Sequence, residues 1–187
     1  TILVGKKSLA IYGTNGNITN NGNINIDENG VGIFSDGGNI VISNTSNVNI
    51  GNNSSIGVYG INSANVQNSS NMNIGNGSYG FLLESGSNLI NNGVMTLGSN
   101  GVFAYGDGAG IITNSPGGQI TATGSDNIAF YTINGGTVVN NANIIANTGD
   151  GNIAIYNSNG SVTNTGNILL RDSILAYDSN GALNASS

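Results

Sequence analysis

The chain repeats itself about every 24 residues, and this constrains its fold more than any other feature. Aligned on the asparagine of an I-x-N pattern, Asn20, Asn44, Asn68, Asn91, Asn114, Asn140 and Asn164 recur at intervals of 24, 24, 23, 23, 26 and 24 residues, with Asn184 as a further candidate. A second column keeps the same period: Tyr12, Phe34, Tyr59, Leu82, Tyr105, Tyr131, Tyr156 and Tyr177. Two columns in step are the mark of stacked structural units, each too small to bury an apolar face alone.

Within each period lie three short strand-like pieces separated by Gly, Ser or Asn. One turn reads "IGVY" (Ile56 to Tyr59), then "NVQN" (Asn65 to Asn68), then "NMNI" (Asn71 to Ile74). The third piece alternates cleanly. Ile24/Ile26, Val48/Ile50, Met72/Ile74, Met95/Leu97 and Ile168/Leu170 share one parity, with Asn25, Asn49, Asn73 and Thr96 between them. A period of two places one set inside and the other outside. No helical period competes. The expected fold is all-β: a right-handed parallel β-helix, with three short strands per turn of about 23 residues and about eight turns in one unit over residues 1–187.

The repeated asparagine follows from that geometry. Two residues before it stand Ile18, Ile42, Val66, Leu89, Ile112, Val138 and Val162. The asparagine therefore faces inward, at a corner, where its amide can donate to the turn below and accept from the turn above. Asparagine also tolerates the left-handed backbone that corners require.

Composition excludes several classes of function. Only 6% of residues are charged, while 37 are Asn and 31 Gly; 37% are hydrophobic, which suffices for a core. The absence of Cys removes disulfides and thiolate metal sites, and the absence of His removes the commonest general base and metal ligand. A net charge of −6 disfavours nucleic acid and anionic lipid as partners. The sequence carries no G-x-S-x-G, P-loop or dinucleotide fingerprint, and no cofactor is expected. Three cations and nine scattered acids are a poor basis for a polysaccharide-cleaving β-helix enzyme, and the chain is expected not to be one.

The "NxGNI" rungs with an inward asparagine, in a Gly/Asn-rich, Cys-free, acidic chain, resemble passenger domains of bacterial type V autotransporters. The Ile/Asn-rich style is most similar to the large fusobacterial outer-membrane adhesins of the RadD type. The resemblance implies export to the cell surface, on the extracellular side of the outer membrane. It implies a part in virulence-related attachment to a host or bacterial surface protein or glycan. It also implies that this is one segment of a longer passenger, flanked by further β-helix turns and tied to the membrane only through a C-terminal barrel not included in it. The chain opens on a third piece and closes just after a second, which agrees with that expectation.

Two sets of side chains are candidate sites. Tyr12, Tyr59, Tyr105, Tyr131, Tyr156 and Tyr177 form either an exposed ladder that binds a glycan or a protein, or a stack of rings packed on one another. Asp126, Asp150 and Asp172 precede the aromatic column in three consecutive turns, and stacked carboxylates would attract calcium. Solvated corners are the plainer reading, with Arg171 neutralising Asp172. Asp36, Glu84 and Asp107 lie two residues past the aromatic column.

Overall fold

The computed structural model describes residues 1–185. It is an all-β solenoid. Its 24 strands fall into three eight-stranded sheets, and the strands of each sheet follow one another at every third place in the chain. Every pairing is parallel, and the three sheets run unbroken through seven complete turns, with one strand below them and two above. We call them the aromatic sheet (first pieces, such as Ile56–Ile61), the ladder sheet (second pieces, such as Asn65–Asn68) and the amide sheet (third pieces, such as Asn71–Ile74). Among the described residues there is no helix.

The amide sheet follows the alternation in the sequence. Val48, Ile50, Met72, Ile74, Met95 and Leu97 are buried, and the residues between them face outward. The aromatic sheet departs from simple alternation. Its strands expose positions one, four and six and bury two, three and five. The aliphatic residues that precede the aromatic column slip in two turns, at Phe103-Ala104 and Leu175-Ala176; two successive inward residues explain the first, while in the end rung Leu175 is exposed. Gly57-Val58, Gly80-Phe81, Phe103-Ala104 and Ala129-Phe130 all pair one small with one large buried residue, so their order can swap while the filled volume is kept. Phe81, Phe103 and Phe130 then meet edge to face in the core, with centroids 5.5 and 5.3 Å apart. At Gly80 the small partner is enforced, because an added Cβ would sit 2.7 Å from the Phe103 carbonyl oxygen.

The inward asparagines form a hydrogen-bonded ladder. Asn68 Nδ2 donates to Asn91 Oδ1 at 2.8 Å, Asn91 to Asn114 at 3.0 Å, Asn114 to Asn140 at 2.9 Å and Asn140 to Asn164 at 2.7 Å. Each amide donates to the turn above and accepts from the turn below, the reverse of the direction expected from the sequence. The second amide hydrogen of Asn68, Asn91, Asn140 and Asn164 goes to a carbonyl two residues on, which closes the corner. These asparagines are buried, and no buried side-chain polar atom among the described residues lacks a partner.

Three expectations about this column need correction. Asn44 is exposed and lies outside the ladder; the register aligns Asn20 with Ile42 and Ile42 with Asn68. The second turn closes its inward face with Ile40 and Ile42, both fully buried, so Ile40 takes the place that the sequence alignment gave to Ile42. With no amide beneath it, Asn68 Oδ1 instead accepts from the Ser70 backbone N–H at 3.2 Å and its hydroxyl at 2.8 Å. Asn184 is exposed and pairs with Thr163, one residue away from the ladder register. Finally, the ladder asparagines do not supply the left-handed corners. A separate set does, including Asn15, Asn62, Asn100, Asn134 and Asn159, with φ between 49° and 59°.

The ladder makes a differential prediction. Asn91→Leu removes partners from Asn68, Asn114 and the Gly93 backbone, and should cost about 1–3 kcal/mol. Asn44→Leu should stay within about 0.5 kcal/mol of the parent. Thermal or denaturant unfolding of the two variants checks this, and equal losses would contradict the assignment.

Candidate binding surface

The three outer faces differ in chemistry. On the amide sheet the outward side chains of the lower turns are amides that bond to one another. Asn49 Nδ2 donates to Asn25 at 2.7 Å and Asn73 to Asn49 at 2.8 Å. On the ladder sheet Asn39 donates to Asn17 and Asn88 to Asn65 in the same manner. These surface ladders escaped the sequence reading, although the N-x-N spacing carries their signal.

The aromatic sheet is different. Its fourth positions are Tyr12, Phe34, Tyr59, Leu82, Tyr105, Tyr131, Tyr156 and Tyr177, each in register with the next. All six candidate tyrosines therefore lie in one outward column. Tyr12 and Tyr177, in the end rungs, are 62% and 51% exposed, and the rest are half-buried. The first positions form a second outward column: Leu9, Val31, Ile56, Tyr79, Val102, Ile128, Ile153 and Ile174. Tyr79 was not among the candidates. It is the one aromatic of its column, and it meets Tyr105 edge-on with centroids 6.2 Å apart.

The rings occupy one another's faces. Tyr105–Tyr131, Tyr131–Tyr156 and Tyr156–Tyr177 are stacked at 5.3, 4.6 and 5.1 Å with planes within 15° of parallel, and Tyr12–Phe34 is stacked at 5.5 Å. Strand spacing in a parallel sheet, about 4.8 Å, is close to the preferred separation of offset aromatic rings, so the fold permits the stack, although Phe34 and Tyr59 in the same column meet edge to face with centroids 5.1 Å apart. A sugar that recognises an aromatic residue lies flat on the ring face. Within the Tyr105–Tyr177 stack those faces are covered, and the column offers ring edges and hydroxyls to solvent. The column therefore packs on itself and still faces outward.

Carboxylates flank the column at the sixth position, where Glu84 and Asp107 are in register. Asp36 accepts from Asn62 and Asp107 from Asn134, both at 2.7 Å. Desolvation on the face, followed by the neighbouring Glu84 carboxylate, raises the Tyr59 hydroxyl above its ordinary pKa. Desolvation and then Asp107 do the same for Tyr105.

Asp126, Asp150 and Asp172 are all exposed, at the corner between the amide and aromatic sheets. No group of three acids among the described residues is placed to hold a metal ion. Arg171 lies 3.5 Å from Asp172, and Lys6 2.9 Å from Glu28, as exposed pairs that contribute little to stability.

No protein-family model matches the chain, and no curated protein or solved structure matches it.

Two solution measurements check this surface. Tyrosines with raised pKa values keep their proton longer when folded. The stabilisation that accompanies neutral Tyr59 and Tyr105 is therefore complete below the ordinary tyrosine pKa and is lost as pH rises through the folded value. Ultraviolet titration of phenolate should show a late-ionising fraction that shrinks in Tyr59→Phe and Tyr105→Phe. Adding calcium or a chelator should leave the melting temperature unchanged; a calcium-dependent rise would show that the aspartate corner binds the ion.

Proposed function

We propose that this chain is a rigid stalk segment of a secreted cell-surface adhesin, which holds binding elements away from the cell and offers its own flank to a partner. The observation that carries the reading is the unbroken stack, in which three parallel sheets share one register from the first strand to the last. Such a stack transmits load along its axis through backbone hydrogen bonds on all three sides and projects by a fixed step per turn, which suits a spacer. The chemistry of the interior supports the same reading. Core aliphatics, the phenylalanines Phe81, Phe103 and Phe130 and self-paired amides fill it, and Asp36 and Asp107 on the flank are engaged by neighbouring amides. We propose no catalytic role and no cofactor. The passenger-domain identity, the outer-membrane location and attachment to host or bacterial cells belong to this proposal and rest on the repeat style.

A second reading, direct binding by the tyrosine column, is favoured by the half-exposed position of that column. Because the Tyr105–Tyr177 ring faces are taken, the partner fitting that stretch is a protein surface rather than a sugar that needs an open ring face.

Antibody against the 187-residue chain should label intact cells of the source organism, and protease shaving should remove the label. Label restricted to permeabilised cells would contradict the surface assignment. On glycan arrays the parent should give no signal that Tyr59→Ala, Tyr131→Ala or Tyr156→Ala abolishes; a signal lost in those variants would establish the glycan reading instead.

A further inference from the structure

We infer that the outer face of the aromatic sheet is a self-association surface, on which a second copy of this chain packs face to face with the two solenoid axes parallel. The first and fourth positions of all eight strands in this sheet carry aliphatic or aromatic side chains, and they are outward, half-buried in the six interior strands and exposed in the two end strands. The outward side of the amide sheet, by contrast, carries Asn25, Asn49 and Asn73 in the same turns of the solenoid. Exposed apolar residues on the other two faces are scattered among polar ones, Leu3, Val94 and Leu169 on the amide sheet and Val41, Ile90 and Ile111 on the ladder sheet, whereas on the aromatic sheet two apolar columns run the whole height, which marks an interface.

Three arguments select a second copy as the occupant. The first is repeat: only a stack with the same rise per turn stays in register along the strip, and another copy has that rise by construction. The second is area. Seven rises of about 4.8 Å and a strand span of about 17 Å give each copy a face of roughly 570 Å², so that roughly 1,100 Å² is covered in total. That just clears the threshold of about 1,000 Å² for a specific interface and indicates a weak, reversible dimer. The third is charge, which also sets the orientation. With the strands of the two sheets aligned, a two-fold axis relates the faces in two ways. If the axis runs along the strands, the solenoids are antiparallel and each column meets itself. Glu84 and Asp107, in the fourth and fifth strands of the sheet, then face each other near the centre in a chain of net charge −6. If the axis runs along the solenoid, the first-position column of one copy faces the sixth-position column of the other at equal height. Tyr79 then lies opposite Glu84 of the second copy, where a hydroxyl can donate to a carboxylate, and Val102 lies opposite Asp107. No acid meets an acid, and the tyrosine columns meet along the axis. Two sheets packed at this near-aligned angle form an ordinary sandwich.

The test combines sedimentation with cysteine cross-linking, for which the cysteine-free sequence is suited. The 187-residue chain should show a concentration-dependent monomer–dimer equilibrium. Ile128→Lys should weaken it at least about tenfold, a change of about 1.4 kcal/mol, while the amide-sheet control Thr121→Lys leaves it unchanged; circular dichroism verifies that both variants are folded. Tyr131→Cys alone should cross-link to itself through a short thiol-reactive linker. A chain that stays monomeric throughout the micromolar range overturns the proposal, as does a dimer indifferent to Ile128→Lys. So does a pattern in which Tyr131→Cys links only to a Tyr59→Cys copy, which requires the antiparallel arrangement.

Discussion

Everything in this molecule depends on each turn finding its hydrogen-bond partners in the next one. A strand of three to six residues has no stability of its own, and a single turn exposes both rows of its backbone groups. The parallel register removes that cost for every turn with a neighbour on each side. It also forces like residues above like, so the side-chain columns follow from the backbone. A side-chain amide can stand above its own copy in a buried column and satisfy both its donor and its acceptor. Asn68, Asn91, Asn114, Asn140 and Asn164 do this, and the interior can therefore contain polar groups without unpaired ones.

The same stacking rule shapes the surface. Columns of asparagine on the amide sheet become chains of amide–amide bonds, and the tyrosine column from Tyr105 to Tyr177 becomes a stack of nearly parallel rings. The asparagine-rich faces satisfy themselves and water equally well. The aromatic sheet carries aliphatic or aromatic side chains at every first and fourth position, as two columns that run the whole height, and its chemistry calls for a covering partner. A spacer with one adhesive flank combines the stalk reading and the self-association inference in one molecule, and each is tested separately.

Most of the fold was legible in the sequence, because its period, its three strands per turn and its alternation are all written in residue type. The third piece is the clearest: Met72 and Ile74 inside, Asn71 and Asn73 outside, as the alternation requires. The errors arose where two arrangements share one composition. An I-x-N anchor selects Asn44 in the second turn, but Ile42 fits the inward position as well as an amide does once Ser70 takes over the missing hydrogen bonds, and the irregular spacing then falls in the corner that follows. Likewise Phe103-Ala104 looked like a break in parity, when both positions are inward and only the summed volume matters. For the candidate site, the sequence shows the column but leaves open whether it is an exposed ladder or a packed stack. The ring stacking, the role of Tyr79 and the pairing of Asp36 and Asp107 with amides could not be read from it, because they depend on which residues the register sets side by side.

The account rests on one buried ladder of amides, and hydrogen exchange of the asparagine side chains measures it directly. The Nδ2 hydrogens of Asn91, Asn114 and Asn140, followed by nuclear magnetic resonance, should exchange orders of magnitude more slowly than those of the exposed Asn44 and Asn73, because they open only with the stack itself. Ladder amides that exchange as fast as the surface amides would contradict the buried ladder and the register built on it.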